Sequence, residues 1–224
     1  MNLDLPLSFL QRPAAAATAQ PWLLVLMHGI GSNEQDLFGL SSYVPPQFHV
    51  LSLRAPNVMG FGSYAWFEFG VTAQGRVINE AQEAASRRLV AQTVEAAARQ
   101  LGVPPERVVV GGFSQGGIMS LSLLLTQPQL MRAAMVLHSR LLPQVLPLVA
   151  PADQLRGKQL WVSHGLQDTV IPLASAHDIR DRASHLPLAL SYAEFPGGHE
   201  IRPAELQAAM QWLEALCVTG LVHG

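Results

Sequence analysis

The chain has 224 residues, of which 49 % are hydrophobic and only 13 % are charged, with a formal net charge of −2 at pH 7. A chain this apolar can offset the entropy cost of ordering, which excludes intrinsic disorder, and no basic block longer than Arg87-Arg88 exists to attract nucleic acid. The longest aliphatic runs, 23–27 and 123–125, are far shorter than the roughly 20 residues that cross a bilayer, so we expect no stable membrane insertion.

The amino-terminal sequence indicates the compartment, whereas the cysteine content does not exclude secretion. The single cysteine, Cys217, excludes an intramolecular disulfide framework and a cysteine-based zinc site. The first acid, Asp4, precedes the first base, Arg12, which is the reverse of the order in a signal peptide. We therefore expect a cytoplasmic protein, with export after cleavage near the alanine run 14–17 as the alternative.

Apolar stretches of strand length alternate along the chain with segments of helical periodicity. The predicted strands are 22–27, 49–53, 107–110, 133–137, 159–163 and 188–195. The predicted helices are 81–101, 115–126, 174–184 and 203–217. Because most of these strands are nearly unbroken apolar runs, both faces of their sheet must be covered. We predict one domain over residues 1–224 with an α/β fold, a mostly parallel sheet and helices on both faces. Chemistry in such sheets lies at the carboxyl ends of the strands.

The turn between the third predicted strand and the following helix carries a candidate nucleophile. Residues 111–117 read GGFSQGG and contain the spacing Gly112-x-Ser114-x-Gly116. This spacing is typical of a serine on a sharp turn, flanked by glycines because strand and helix approach closely there. The alternative is a glycine-rich turn with an incidental serine. We predict that Ser114 is a nucleophile.

A nucleophilic serine needs a general base, and eight histidines compete for that role. His199 follows the last predicted strand on a Gly-Gly approach that lets its ring extend over the sheet edge, and we predict that it is the base. His28, His138 and His164 also follow strands and are the alternatives, although we expect the first and third to hold strand ends in place. The remaining histidines, which we expect to be exposed, are His49, His177, His185 and His223.

The base needs an orienting carboxylate, for which we predict Asp168. It follows the fifth predicted strand, where a carboxylate can hold an imidazole N–H. The alternative role for Asp168 is that of a turn residue that caps the helix near Pro172. The chain order Ser114, Asp168, His199 is the order found in hydrolases that carry their nucleophile on this type of turn. The other aspartates considered, which lie in helical or linker segments, are Asp36, Asp153, Asp178 and Asp181.

Two backbone N–H groups are candidates for an oxyanion hole: that of Gln115, directly after the nucleophile, and that of Ile30, in the loop after the first predicted strand. The Gly-x-Gly of this loop could instead begin a dinucleotide-binding turn. That alternative fails because Asn33 occupies the place of the third glycine and the second predicted strand is followed by Arg54, not by an acid.

The sequence also excludes a phosphate-binding loop and a zinc site of the hydrolase type. No lysine follows these glycines as in a phosphate-binding loop, and no His-Glu-x-x-His pair supplies zinc ligands. We therefore predict no metal and no cofactor.

Two apolar segments are candidates for the substrate groove. Aromatic residues concentrate in 61–69, where we single out Trp66 and Phe67, and prolines interrupt the apolar stretch 141–149, which begins with Leu141 and Leu142. The alternative for each residue is that it simply covers the sheet.

Together these motifs resemble the phospholipase/carboxylesterase family of α/β hydrolases, which includes the acyl-protein thioesterases and many bacterial carboxylesterases. The resemblance extends over residues 21–216. Its motifs are His28-Gly29-Ile30-Gly31, Trp66-Phe67, the GGFSQGG block, His164-Gly165 with Asp168, and Gly198-His199.

The resemblance implies an α/β-hydrolase fold in which Ser114 is the nucleophile, His199 the base and Asp168 the orienting acid. It places the oxyanion hole at the amides of Ile30 and Gln115. It also implies a serine carboxylesterase that acts on small acyl esters without cofactor or metal, with thioesters and lysophospholipids as further substrates.

Two alternatives to this function stay open: cleavage of another acyl bond, in a lactone or a peptide, and a catalytically silent binding protein. A homodimer is compatible with the low surface charge. The sequence departs from the family twice. Ser32-Asn33-Glu34 replaces an aspartate of the eukaryotic thioesterases, and His138-Ser139-Arg140 replaces a small Ser-Gly pair. The second departure implies a different groove wall.

Overall fold

The computed structural model describes residues 2–73 and 75–219, and this part of the chain contains eleven strands and six α-helices. The strands are β1 (Phe9–Arg12), β2 (Trp22–Met27), β3 (Phe48–Leu53), β4 (Asn57–Gly60), β5 (Ser63–Ala65), β6 (Phe69–Thr72), β7 (Gly75–Ile78), β8 (Val108–Phe113), β9 (Ala133–Leu137), β10 (Gln159–Gly165) and β11 (Ala189–Phe195). The helices are α1 (Gln35–Phe38), α2 (Glu80–Leu101), α3 (Gln115–Thr126), α4 (Ala152–Leu155), α5 (Leu173–Ala183) and α6 (Pro203–Thr219).

Seven strands form one sheet in the order β1-β3-β2-β8-β9-β10-β11. Only the β1–β3 pair is antiparallel in the described part of this sheet, and all other neighbours run parallel. This arrangement confirms the predicted α/β fold with a mostly parallel sheet. Parallel strands bring the loops after β2, β8, β10 and β11 to one edge of the sheet, where the candidate site residues lie.

Helices cover both faces of the sheet, as the apolar strands required. Side chains of β2 alternate between the faces because successive residues of a strand point in opposite directions. Leu23 and Val25 belong to the core cluster that also contains Val90 of α2 and Leu124 of α3. Leu24 lies in the opposite cluster, where α1 and α6 pack on the sheet. The prediction of helices on both faces is therefore confirmed.

Three strand pairs were not predicted from the sequence. β1 adds an antiparallel edge to β3, with Phe9 opposite Leu53, and all its residues are partly exposed. β4 pairs with β5, and β6 with β7, in two small hairpins between β3 and α2. Every residue of β6 is exposed. These strands lack the continuous apolar run by which the buried strands were recognised.

One expectation about the histidines is wrong. His49 is buried, not exposed, because β3 lies inside the sheet between β1 and β2, and its Nε2 lies 3.1 Å from Oε1 of Gln11. His185 is exposed and His177 partly exposed, whereas His223 lies outside the described residues. Within 2–73 and 75–219, no helix has both the length and the apolar character needed to cross a membrane.

Candidate active site

Ser114 lies on the turn between β8 and α3, where its backbone adopts φ 55° and ψ −117°. A positive φ is uncommon for a residue with a side chain, so the turn is strained at this serine. A Cβ atom at Gly112 would lie 2.3 Å from the carbonyl carbon of Gly116, and one at Gly116 would lie 1.8 Å from the carbonyl oxygen of Met27. Only glycine at both positions allows β8, α3 and the end of β2 to approach so closely.

The loops after β8, β10 and β11 bring Ser114, Asp168 and His199 into one hydrogen-bonded chain. Nε2 of His199 lies 2.9 Å from Oγ of Ser114, and Nδ1 of the same ring lies 2.7 Å from Oδ2 of Asp168. The predicted base, His199, thus lies between the predicted nucleophile, Ser114, and the predicted acid, Asp168. Ser114 and Asp168 are buried, and His199 is partly exposed.

The second oxygen of Asp168 is held by backbone. Oδ1 accepts hydrogen bonds of 2.9 Å from the N–H groups of Val170 and Ile171. Burial by itself raises the pKa of this carboxyl, but the hydrogen bonds from His199, Ile171 and His138 outweigh it and hold the pKa below its ordinary value. Asp168 therefore stays ionised at neutral pH and can orient an imidazole N–H. Asp168 does not cap α5, which has no side-chain cap, but one of its oxygens fixes the preceding turn while the other faces the histidine.

A second histidine and a glutamate extend this chain inward. Nδ1 of His138 lies 3.1 Å from Oδ2 of Asp168, and its Nε2 lies 3.0 Å from Oε2 of Glu205 in the first turn of α6. Ser163 donates to Oε1 of Glu205 over 2.6 Å. Burial lowers the pKa of His138, but its hydrogen bonds to Glu205 and Asp168 raise it by more. This part of the site was not predicted, and it leaves both ring nitrogens of His138 on carboxylates.

The other two alternative bases hold strand ends, as expected. Nδ1 of His28 lies 2.7 Å from the carbonyl oxygen of Gly29, and its Nε2 accepts from the N–H of Ala55 over 3.1 Å. Nε2 of His164 lies 2.8 Å from the carbonyl oxygen of Ile171. Burial lowers the pKa of both rings, so both stay neutral at neutral pH.

The two predicted oxyanion donors lie at the same edge of the sheet as Ser114. Gln115 is the first residue of α3, so its N–H belongs to the unpaired amides of a helix start. The loop with Ile30 adjoins the serine, since a Cβ at Gly29 would lie 3.4 Å from Cβ of Ser114. In the described part of the chain the N–H of Ile30 donates to no other group. Both amides are therefore available to an oxygen bound beside Ser114.

The carboxamide of Gln115 fixes the aromatic loop. Its Oε1 accepts from the N–H of Trp66 over 2.8 Å, and its Nε2 donates to the carbonyl oxygen of Phe67 over 2.6 Å. The indole N–H of Trp66 donates to the carbonyl oxygen of His28 over 2.9 Å. These bonds connect the aromatic loop to Gln115 on α3 and to His28 in the loop after β2.

A cavity of about 80 Å³ opens beside Ser114. Its apolar lining residues are Ile30, Phe67, Phe69, Ile118, Val170 and Ile171. The two arginines Arg76 and Arg140 also line it.

Only one of the four groove candidates lines this cavity, namely Phe67. Trp66 is fully buried because its ring fills the core below His28, and Leu142 is buried in the core beside α3. Leu141 lines a different apolar cavity of about 340 Å³ between α3 and α5. Trp66, Leu141 and Leu142 therefore do not line the space next to Ser114. The hairpin β6–β7, which supplies Phe69 and Arg76, was not predicted from the sequence.

In the part of the chain that the structure describes, one group of side chains has its potential ligand atoms close enough for a metal ion: His138, Asp168 and His199, within 4.8 Å. Both rings direct Nδ1 at the same oxygen of Asp168. An N–H that donates to this oxygen cannot at the same time coordinate a metal, so hydrogen bonding accounts for the cluster.

The fold, with a serine on the turn after a central strand, is that of the α/β hydrolases. Within this class the chain belongs to the Phospholipase/Carboxylesterase family, whose sequence model matches residues 11–217. The resemblance inferred from the motifs is thereby confirmed. By family, the chain is a hydrolase of the carboxylesterase and thioesterase type.

Individual relatives agree with this assignment. An acyl-protein thioesterase 1 of Gibberella zeae is 29 % identical over 223 residues, covering 88 % of this chain and 92 % of the relative. A putative hydrolase MhqD of Bacillus subtilis is 24 % identical, covering 88 % of this chain and 94 % of the relative. The Bacillus cereus carboxylesterase structure superposes with a TM-score of 0.79 at 21 % identity, covering 94 % of each chain. A carboxylesterase structure from Mesorhizobium loti gives 0.78 at 21 % identity, covering 94 % of this chain and 96 % of that one. These structures confirm the predicted α/β-hydrolase fold.

Proposed function

We propose that this protein is a carboxylesterase that cleaves small acyl esters through an acyl-serine intermediate. The observation that carries the proposal is the continuous hydrogen-bonded chain from Ser114 through His199 to Asp168, with the serine on a strained turn. Such a chain activates a serine that would otherwise be a weak nucleophile.

In the first half of the reaction, Oγ of Ser114 attacks the ester carbonyl carbon while Nε2 of His199 takes the hydroxyl proton. Asp168 holds Nδ1–H and stabilises the imidazolium that forms. The carbonyl oxygen becomes an oxyanion, to which the amides of Ile30 and Gln115 donate. The tetrahedral intermediate then collapses: the bond to the leaving oxygen breaks, and the alcohol departs with the proton from His199.

In the second half, water repeats the sequence on the acyl-serine. Its proton passes to His199, its oxygen attacks the acyl carbon, and the carboxylic acid leaves as Oγ of Ser114 regains a proton. The resident groups suffice for both steps, so the proposal needs neither metal nor cofactor.

The size of the cavity supports short acyl groups. About 80 Å³ is well below the roughly 300–1,000 Å³ of pockets that take drug-sized ligands, and it suits an acyl group of a few carbon atoms. The larger apolar cavity lined by Leu141 is a separate space. We therefore propose a preference for acetyl to butyryl esters over long-chain ones. Thioesters are a second candidate, supported by the relatives named acyl-protein thioesterase 1.

The test compares the native protein with Ser114→Ala on p-nitrophenyl esters from acetyl to palmitoyl and on matched acyl thioesters. We expect kcat of the variant to fall by about 10⁴- to 10⁶-fold, and Asp168→Asn to cost roughly 10⁴-fold. Labelling by a fluorophosphonate checks the serine independently of the acyl group. Labelling of the native protein without turnover would contradict the acyl preference. If the native protein shows neither labelling nor turnover, the esterase proposal is wrong and the binding-protein alternative is favoured.

A further inference from the structure

Two arginines line the small cavity that contains Ser114. Arg140 is half-buried and follows Ser139, whose hydroxyl donates to the carbonyl oxygen of Ser114 over 3.0 Å. Arg76 is exposed and comes from the hairpin β6–β7, which is distant in the sequence from Arg140. The two cations thus reach the same space from separate parts of the fold.

No carboxylate neutralises either guanidinium within residues 2–73 and 75–219. No acidic side chain lines the cavity, and the guanidinium of Arg140 has neither a hydrogen bond nor an ion pair there. The guanidinium of Arg76 lies over the ring of Phe69, with its carbon 5.0 Å from the ring centre. By contrast, three arginines elsewhere in the described chain, Arg54, Arg87 and Arg202, each form an ion pair with a glutamate.

The two charges also act on each other. Burial lowers the pKa of Arg140, and the positive charge of Arg76 lowers it further. A guanidinium nevertheless stays protonated in proteins, so both groups remain cations. Two like charges without a counter-charge, one of them partly desolvated, are an unfavourable arrangement unless an anion occupies the space between them.

We propose that Arg76 and Arg140 form a subsite for a carboxylate carried by the ester, so that the preferred substrates are anionic esters such as hemiesters of short dicarboxylic acids. This inference rests on the proposed esterase function, since it names the substrate class of the same site. Arginine suits the role because its planar N–H groups match the two oxygens of a carboxylate. The apolar walls leave room for a short linker between the carboxylate and the scissile bond.

The experiment compares each anionic ester with a neutral counterpart of similar length. In the first pair, monoethyl glutarate carries its carboxylate on the acyl side, and ethyl hexanoate is the neutral counterpart. In the second pair, 3-acetoxypropanoate carries its carboxylate on the alcohol side, and butyl acetate is the neutral counterpart. We expect kcat/KM to favour the anionic member of at least one pair by roughly 10- to 100-fold, as for hydrogen bonds to charged groups. Added NaCl should reduce this ratio because it screens the attraction.

Substitutions test whether the two arginines cause the preference for anionic esters. Arg140→Gln should lower the ratio of anionic to neutral kcat/KM by about tenfold or more, and Arg76→Gln should lower it by less because Arg76 is exposed. Arg88→Gln, which removes an exposed arginine of α2, should leave the ratio unchanged. A native protein that hydrolyses the neutral esters as well as, or better than, the anionic ones overturns the subsite and leaves the esterase function standing.

A binding measurement separates the subsite from the chemistry. Calorimetry of the Ser114→Ala variant with glutarate should give binding that Arg140→Gln weakens by at least tenfold, with circular dichroism to check that both variants are folded. Such binding in a protein that hydrolyses no ester would support the subsite and overturn the esterase. If glutarate does not bind, the carboxylate proposal is wrong. Tight binding of inorganic phosphate in that case would show that the arginines hold a different anion.

Discussion

The buried pair of His138 and Glu205 makes a quantitative prediction about stability. A neutral imidazole has one N–H and can donate to only one carboxylate, whereas an imidazolium can donate to two. His138 lies between Asp168 and Glu205, at 3.1 and 3.0 Å, and its pKa is raised. The folded protein therefore favours the charged ring, held by a carboxylate on each side. Glu205→Gln keeps the size of the side chain and removes one of these charges.

The loss of unfolding free energy in Glu205→Gln follows from the burial of His138 and Glu205. The side chains of both His138 and Glu205 are 1 % exposed. Removing one partner of a buried ion pair costs about 3–5 kcal/mol, and the isosteric amide, which still accepts from Ser163, reduces this to roughly 2–4 kcal/mol. For a domain of this size, the melting temperature should fall by roughly 5–15 °C.

The effect of pH has a definite sign. Because folding raises the pKa of His138 above its unfolded value of about 6.5, the associated stability is fully present below that pH and is lost as pH rises through the folded pKa. The difference in unfolding free energy between the native protein and Glu205→Gln should therefore be larger at pH 6 than at pH 9. Urea denaturation at both values measures it.

Glu200→Gln provides the control. Glu200 lies three residues before the start of α6 and pairs with Arg202 at the surface, where both side chains are more than half exposed. Such a pair contributes about 0–1 kcal/mol. If Glu205→Gln destabilises no more than this control, or by the same amount at pH 6 and pH 9, then His138 is not held as an imidazolium.

Two further predictions concern packing. Gly116→Ala should destabilise the protein by more than about 3 kcal/mol or prevent folding, since the new Cβ would meet a carbonyl oxygen at the end of β2. Gly70→Ala, where a Cβ meets nothing within 4 Å, should change stability by under about 1 kcal/mol. Equal melting temperatures would contradict the close approach. Cys217 is buried and its thiol pKa is raised to about 11, chiefly by burial, so it should not react with Ellman's reagent at pH 8 until urea unfolds the chain. Rapid reaction of the native protein would show that the thiol is accessible.

The buried strands could be predicted from the sequence because they are recognisable without tertiary context. β2 and β8 are apolar over their length, and an apolar run bounded by glycine has few other interpretations. β1 and the hairpin β6–β7 give no such signal. Their residues are partly or fully exposed, and their pairing depends on which strand or loop lies beside them in the folded chain.

The same distinction applies to the candidate site. Ser114, Asp168 and His199 each follow a strand, so the rule that loops after parallel strands meet at one edge was enough to place them together. Trp66 and Leu142 were assigned to the groove on composition alone, and an aromatic or aliphatic residue is more often buried in the core than exposed in a cavity. Arg76 could not be assigned to the site, because the hairpin that carries it was not predicted.

The burial of Glu205 could be predicted from the sequence, but not from the rule that loops after parallel strands meet at one edge of the sheet. It lies on α6 four residues before Ala209 and eight before Leu213, and all three side chains are buried. A carboxylate on the apolar stripe of a helix cannot be there for solubility, and burying it requires a partner on the element below. His138, at the end of a central strand, is that partner. An acid on the apolar face of the last helix, together with a histidine after a central strand, is therefore the sequence pattern that predicts a buried partner for a carboxylate such as Asp168 in this fold.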